Sequence, residues 1–239
     1  MQSLEPATSP DRPAAAAADT GAPGAGAPGA LAAGGRTWRI EWAQLSVARL
    51  VADRRPPAAE QVLAGLIART AGVPVGDVEL ERRCGECGAR HGVPAVEYPT
   101  TPSGARWRGD AAASSGLVVA AVGMRHRLGV AVQAPGPEGA AVDEAAFHPG
   151  ERARLDAVDP AERRPLRAMM WARKAALSRA LGHRTFLEPA RIELGEPDAG
   201  GAVRLVRGVP EFGASWRDVI VIDLPGDGDG VAAAVALLP

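Results

Sequence analysis

Residues 159–182, DPAERRPLRAMMWARKAALSRALG, predict a long helix. Asp159 occupies the N-cap position, Pro160 the first helical position, and Glu162 lies three residues after the cap. This combination is typical of a helix start. Gly182 is expected to end the helix, because glycine readily adopts the backbone conformation that follows a helix C-terminus. The stretch therefore predicts one continuous helix between these two signals.

Short apolar runs bounded by turn residues surround this helix and predict strands. The predicted strands lie near residues 38–42 and at residues 117–122, 128–132, 192–194, 203–206, 219–224 and 231–238. Two further helices are predicted, over residues 58–71 and 149–158. A Pro- and Gly-rich loop is expected after the strand at 128–132, and residues 227–230, DGDG, predict a hairpin turn. These elements predict an α+β fold.

The composition excludes several classes of protein. Residues 1–35 are mostly alanine, glycine and proline, and we expect them to be disordered because they have little to bury. The formal net charge of −1 argues against nucleic-acid binding, and no apolar run is long enough to span a membrane. Two cysteines are too few for a disulfide scaffold, and no secretory signal is visible. We therefore expect a cytoplasmic protein.

Three segments, in this order, resemble the 4'-phosphopantetheinyl transferases of the surfactin-synthetase type found in actinobacteria. Residues 84–94, CGECGARHGVP, resemble a Cys-rich segment that ends in His-Gly-Lys-Pro. Residues 128–133, LGVAVQ, resemble the family strand Gly-Val/Ile-Asp-Val/Ile-Glu. Residues 171–179, WARKAALSR, resemble the family helix Trp-x-x-Lys-Glu-Ala-x-x-Lys. Two shorter segments add to the similarity, DRR at 53–55 and PGERARL at 149–155.

The resemblance implies a pseudo-dimer of two similar α+β lobes behind the N-terminal tail. The lobes would be residues 36–125 and 126–239. In the family, coenzyme A binds in the cleft between the lobes, where magnesium bridges its pyrophosphate. The enzyme transfers the phosphopantetheine arm to a serine of an acyl or peptidyl carrier protein, often in secondary metabolism. The resemblance thus implies coenzyme A as the ligand and a carrier protein as the partner, and leaves the oligomeric state open.

The acidic positions that hold magnesium in the family are altered in this chain. The resemblance places Ala131 and Gln133 on the strand and Ala175 on the helix, where the family has Asp, Glu and Glu. Magnesium takes hard oxygen ligands, commonly carboxylates, phosphates and water. Alanine offers no ligand, and glutamine offers one neutral oxygen. The resemblance therefore predicts a degenerate magnesium site, without the glutamate that would help to activate the acceptor serine.

The coenzyme A site that the resemblance implies is also reduced. The family lysine between Gly and Pro is Val93 here, and the family Ser-His-Ser/Thr stretch aligns with residues 112–114, AAS. The remaining positions predicted to contact coenzyme A are Arg55, His91, Ser114, Lys174 and Arg179. Of these, Lys174 and Arg179 are also the candidates for a catalytic cation. Lys174 is the only lysine in the chain, and a ligand role and an accident of drift explain it equally well.

Other residues with chemical potential have simpler interpretations. Cys84, Cys87 and His91 have the spacing of part of a zinc site, but a closed site needs a fourth ligand. A tight turn with two buried or reduced thiols is the simpler prediction. Trp171 is expected to pack in the core, and His148 to precede or cap a helix.

Three function hypotheses remain open at the level of sequence. The first is a pseudo-enzyme that binds or regulates without transferring the phosphopantetheine arm. The second is an active transferase with a rebuilt magnesium site, for which Glu138, Asp143 and Glu144 in the predicted loop are the available acids. The third is a structural partner protein that binds no ligand.

Overall fold

Two antiparallel β-sheets, with helices packed against them, form the described part of the chain. The computed structural model describes residues 34–40, 43–51, 58–82, 88–90, 92–136, 140–182, 187–199, 201–224 and 230–239. The first sheet uses strands up to Gly123, and the second begins at Arg127. This mixed architecture confirms the predicted α+β class.

The first sheet has six strands in the order β1-β2-β6-β5-β4-β3. Its strands are β1 Gly34–Ile40, β2 Ala43–Val51, β3 Glu79–Glu81, β4 Ala95–Thr100, β5 Arg106–Ser114 and β6 Leu117–Gly123. Helix α1, Ala59–Ala71, packs on one face of this sheet. β1 begins at Gly34, so the last two residues of the predicted tail, 34 and 35, belong to a strand.

The second sheet has four strands in the order β7-β10-β9-β8. Its strands are β7 Arg127–Gln133, β8 Ala202–Arg204, β9 Ile220–Leu224 and β10 Ala232–Leu238. Between β7 and β8 lie three helices, α2 Ala140–Ala146, α3 Pro149–Ala157 and α4 Pro160–Leu181. Short 3-10 helices occupy Val75–Asp77, Pro189–Arg191 and Pro210–Asp218.

The layers follow the order helix, sheet, sheet, helix. Strand β6 explains how: Val118, Ala120 and Val122 pack with α1, whereas Leu117 and Val119 pack with residues of the second sheet. Strand β10 is divided in the same way, with even-numbered residues in the cluster that includes α4 and odd-numbered residues between the sheets. Strands buried on both faces read as continuous apolar runs, which is how the sequence revealed them.

The helix predictions agree with the structure at most boundaries. Helix α4 runs from Pro160 to Leu181 as predicted, but the side chain of Asp159 at its N-cap makes no capping hydrogen bond. His148 caps α3, as expected, because its Nδ1 accepts a hydrogen bond from the Gly150 amide at 3.2 Å. The predicted loop after β7 was wrong over Ala140–Ala146, where α2 forms. Residues 227–229 of the predicted turn lie outside the described residues. No helix in the described ranges has the length and apolar character needed to cross a bilayer.

Candidate functional site

Helix α4 carries four basic side chains that each pair with an acid on a different element. Arg167 pairs with Asp143 of α2, and Lys174 with Glu151 of α3. Arg173 pairs with Asp223 of β9, and Arg179 with Asp110 of β5. The helix that the resemblance marks as the site helix is therefore tied by charge to both sheets and to two neighbouring helices.

Lys174 lies in the interior, and its side chain is only 2% exposed. Its Nζ is 2.5 Å from Glu151 Oε2 and donates hydrogen bonds to the carbonyl oxygens of Ala146 at 2.9 Å, Pro189 at 2.6 Å and Ile192 at 3.0 Å. An ammonium has three protons, and these internal acceptors are enough to take them all. Burial lowers the pKa of Lys174, and the charge of Glu151 opposes that shift. This environment is that of a structural ion pair and leaves no proton directed towards a ligand.

Glu151 links α3 to its surroundings as well as to Lys174. Its carboxylate is fully buried and accepts hydrogen bonds from the amides of His148 at 3.0 Å and Leu194 at 3.1 Å. Buried charges are stable when they are paired and hydrogen-bonded in this way. Phe147 borders the pair, with its ring centroid 5.6 Å from Lys174 Nζ and 5.6 Å from the Trp171 ring. Trp171 thus packs beside the pair, as its predicted core role requires.

Arg179 points in another direction and binds Asp110 between the two sheets. Its Nε donates to Asp110 Oδ2 at 2.7 Å, and its Nη2 donates to Oδ1. Asp110 is fully buried and also accepts a hydrogen bond from the Val130 amide of β7 at 2.8 Å. The hydrogen bonds to Asp110 raise the pKa of Arg179. Since positions 174 and 179 are about 140° apart around a helix, the structure does not bring these two predicted phosphate ligands together.

Of the predicted metal positions on β7 and α4, Ala131 is buried in the core, whereas Gln133 and Ala175 are partly buried. Ala131 is 5% exposed and belongs to an apolar cluster with alanines of α4, and Ala175 borders the same cluster. Gly129 lies so close to α4 that a Cβ there would overlap the Ala176 carbonyl oxygen and the Ala180 amide. Gln133 donates from Nε2 to the neighbouring Ala134 carbonyl at 3.1 Å. Small side chains on both elements thus permit a close approach at the positions of the family's carboxylates.

The register of the second sheet places one carboxylate near this row. Ala131 pairs with Ala234, which pairs with Asp223, so the three residues form a row across β7, β10 and β9. Two strand spacings separate Ala131 from Asp223, about 10 Å. Asp223 is held by Arg173, whose Nε and Nη2 donate to its two oxygens at 2.8 Å and 2.6 Å. A bidentate arginine thus binds this carboxylate from the α4 side.

The acids proposed as replacements are also engaged. Asp143 binds Arg167 through two hydrogen bonds, and Glu144 lies 3.7 Å from Arg152. Both acids are on α2, and Glu138 falls outside the described residues. Within the described ranges, no group of three or more His, Cys, Asp or Glu side chains is arranged to hold a metal ion.

Of the remaining predicted site residues, one lies at the β5–β6 hairpin and four lie outside the described residues. Ser114 ends β5 at the hairpin to β6, where it pairs with Leu117. Arg55, His91, Cys84 and Cys87 lie outside the described residues, so their predicted coenzyme A and zinc roles stay predictions.

The sequence patterns did not predict that Glu151 and Asp110 pair with basic side chains of α4. Glu151 offered a local signal, because it stands three residues after the helix cap His148, which is the position of a capping-box glutamate. Asp110 offered a second one, since a lone acid in an apolar strand needs a buried partner. Comparison of the chain with protein-family models and with curated proteins finds no match.

Proposed function

We propose that the protein is a non-catalytic relative of the 4'-phosphopantetheinyl transferases, a pair of α+β lobes that binds a carrier protein without modifying it. The observation that carries this proposal is the burial of Ala131 in the apolar cluster beneath α4. A magnesium ligand at this position would need a carboxylate directed into a hydrated cleft. Here the same backbone position supports helix packing.

The charges of α4 support the same proposal. Phosphoryl transfer needs cations or metal ions that neutralise the developing negative charge. Lys174 and Arg179 are the cations that the resemblance assigns to coenzyme A, and each is neutralised by a fully buried carboxylate. Removing either cation from its partner would leave an uncompensated buried charge, which is costly. We therefore expect coenzyme A to bind weakly, through residues such as Arg55 and His91.

The direct test is an intact-mass assay of transfer. The purified protein is incubated with coenzyme A, magnesium and a panel of apo carrier proteins, beside an active transferase that modifies the same carriers. We expect no phosphopantetheine addition by this protein. A mass shift located at a carrier serine would overturn the proposal and favour a rebuilt magnesium site.

A separate measurement tests binding to the partner. Each ¹⁵N-labelled apo carrier protein is titrated with the unlabelled protein, and calorimetry measures coenzyme A binding alone. We expect saturable shifts around the acceptor serine of at least one carrier. Absence of binding to both carriers and coenzyme A would contradict the binding role and favour the structural-partner hypothesis.

Introducing acids at positions 131, 133 and 175 tests whether the chain descends from an enzyme with a magnesium site there. Ala131→Asp inserts a carboxyl group among alanines, so we expect it to lower the free energy of unfolding by roughly 1–3 kcal/mol. Gln133 and Ala175 are only partly buried, so the variant Gln133→Glu/Ala175→Glu is expected to fold. Magnesium-dependent transfer by this double variant or by the triple variant would support the proposed ancestry. Folded variants that bind coenzyme A but gain no transfer would argue against it.

A further inference from the structure

Three exposed arginines lie close together near the starts of β5 and β7. Arg108 is on β5, Arg125 is in the connection between β6 and β7, and Arg127 is the first residue of β7. Arg108 pairs with Gly123 across the first sheet, and Gly123 precedes Arg125 by two residues. Arg125 in turn precedes Arg127 by two residues, and two residues span at most about 7 Å. These three residues form the arginine cluster.

Strand alternation shows where the two strand arginines of the cluster point. Successive side chains of a strand point to opposite faces of its sheet. Arg108 therefore shares the face of Asp110, which is directed at β7 and binds Arg179 of α4. Arg127 shares the face of Gly129, where a Cβ would lie 2.9 Å from Arg179 Cβ. The two arginines thus flank Arg179, one from each sheet.

The carboxylates nearest in sequence do not neutralise the arginine cluster. Asp110 is the only acid between Glu97 and Glu138. Asp110 is fully buried, and its oxygens already accept hydrogen bonds from Arg179 and from the Val130 amide. Glu97 pairs at 2.7 Å with another arginine of β5. Within the described residues, the guanidinium groups of the cluster make no hydrogen bond and no ion pair, so their charges are available to a partner.

The surface of the arginine cluster suits an extended partner rather than a small anion. Small-molecule sites are concave. A cavity of about 380 Å³ lies between the C-terminal end of α1 and the six-stranded sheet, but none of its nine lining residues carries a charge. The arginine cluster lines no part of this cavity, and its side chains are exposed on two strands and a connection. An anion that binds all three arginines must therefore bridge them from the solvent side.

Carboxylates fit the arginine cluster better than a nucleic acid does. Nucleic acids bind through many phosphate contacts and through bases that stack on aromatic side chains. Trp107 is the only aromatic residue between Tyr98 and Phe147, and it is buried against α1. A guanidinium group binds a carboxylate through two parallel hydrogen bonds, as Arg173 and Asp223 do in this chain. A protein segment rich in Asp and Glu offers several such carboxylates in a row.

We propose that the arginine cluster is a docking surface for an acidic segment of a partner protein, whose carboxylates bind Arg108, Arg125 and Arg127. Exposed ion pairs are individually weak and are screened by salt, so the contact is transient and its formation is guided by charge. The resemblance assigns none of these three residues to coenzyme A or to magnesium. The inference therefore does not depend on the proposed function.

Fluorescence anisotropy of labelled probes tests the proposal on the full chain. The probes are hexaglutamate, hexalysine and a deoxythymidine hexanucleotide, each labelled with fluorescein and titrated with the protein. We expect saturable binding of hexaglutamate at about 20 mM salt, weakened at least about fivefold at about 200 mM salt. The hexanucleotide should bind at least about threefold more weakly than hexaglutamate, because these strands expose no aromatic side chain on which its bases can stack. Hexalysine should not bind.

Two variants of equal net charge locate the binding. The cluster variant replaces the three arginines of the cluster with glutamine, and it should raise the Kd of hexaglutamate at least about tenfold. The control variant replaces three other exposed arginines, Arg69→Gln, Arg90→Gln and Arg164→Gln. It should change the Kd less than about twofold. Exposed positions tolerate such changes, so both variants are expected to fold, which circular dichroism and thermal melts check. Arg125→Glu alone should raise the Kd at least about threefold and serves if the cluster variant is destabilised.

Three results would overturn the proposal. The first is an absence of saturable hexaglutamate binding to the wild-type protein at low salt. The second is an equal loss of affinity in the folded cluster and control variants, because binding would then follow net charge and not the cluster. The third is hexanucleotide binding as tight as that of hexaglutamate, which would exclude the assignment to an acidic protein segment.

Discussion

Helices α1 and α4 cover the two outer faces of the same pair of sheets, but they do so with different side chains. α1 contacts its sheet through large residues, Val62, Leu63, Leu66 and Ile67. α4 contacts its sheet through alanines at every fourth position, Ala168, Ala172, Ala176 and Ala180, together with Leu177 and Leu181. Helix α4 also makes four ion pairs with neighbouring elements. The cavity, by contrast, lies at the C-terminal end of α1.

The difference shows that the two resembling segments on β7 and α4 lie in a closely packed interface. Alanines and Gly129 allow α4 to approach β7 closely, so that a Cβ at position 129 would overlap backbone atoms of the helix. Larger side chains mediate the α1 contact, and an added Cβ at Gly109 would first meet the end of the Leu63 side chain, not the backbone of α1. A motif therefore indicates where chemistry would be, and only packing indicates whether there is room for it.

Removal of the Lys174 charge should lower the free energy of unfolding more than any other change proposed for the two helices. Lys174→Met keeps the apolar stem but leaves Glu151 buried without its partner, so we expect a loss of about 3–5 kcal/mol in the free energy of unfolding. Urea denaturation measures it. The matched change Arg69→Met, on the exposed side of α1, should leave the midpoint unchanged. Unaltered stability of Lys174→Met would show that the lysine is free for another role, such as a ligand.

Replacing the strand glycines that face α4 and α1 with alanine should give a smaller difference in stability. At Gly129 the added methyl group would meet backbone atoms of α4, and it would lie 2.9 Å from Arg179 Cβ. At Gly109 its nearest neighbour is the flexible end of Leu63, 3.0 Å away. We expect Gly129→Ala to cost about 3 kcal/mol and Gly109→Ala about 1 kcal/mol, by the same denaturation measurement. Equal costs would mean that α4 is not packed more closely than α1.

The smallest effect concerns the pH dependence of the α3 cap. Burial lowers the pKa of His148, although Glu193 beside it opposes the shift. The unfolded chain therefore takes up a proton near pH 6.5 that the folded chain resists, so stability should fall as the pH drops below about 6.5. His148→Asn keeps a capping acceptor without a titrating group and should flatten this part of the profile. Thermal melts of both proteins between about pH 5 and pH 8 measure it, and identical slopes would contradict the assignment.

The sequence predicted the elements well where the signals are local. The bounds of α4 follow from Pro160 and Gly182, which lie at its ends and act within one turn. Helix α2 was missed because the Pro- and Gly-rich residues before it suggested a continuous loop. The partners of Lys174 and Arg179 lie 23 and 69 residues away along the chain, so only the fold reveals that these cations are neutralised. The cavity was equally invisible, since its lining comes from four strands and a helix.

Asp110 has a consequence for how the molecule could be divided. One carboxylate joins a strand of the first sheet to the backbone of the second and to α4. A chain cut between Gly123 and Arg127 would separate the Asp110 carboxylate from the Val130 amide and the Arg179 guanidinium, and would expose the apolar faces that pack between the sheets. Neither fragment would then be a self-sufficient folding unit, and the two should recover their native form only when mixed. We therefore expect the two sheets to unfold together, as one cooperative structure.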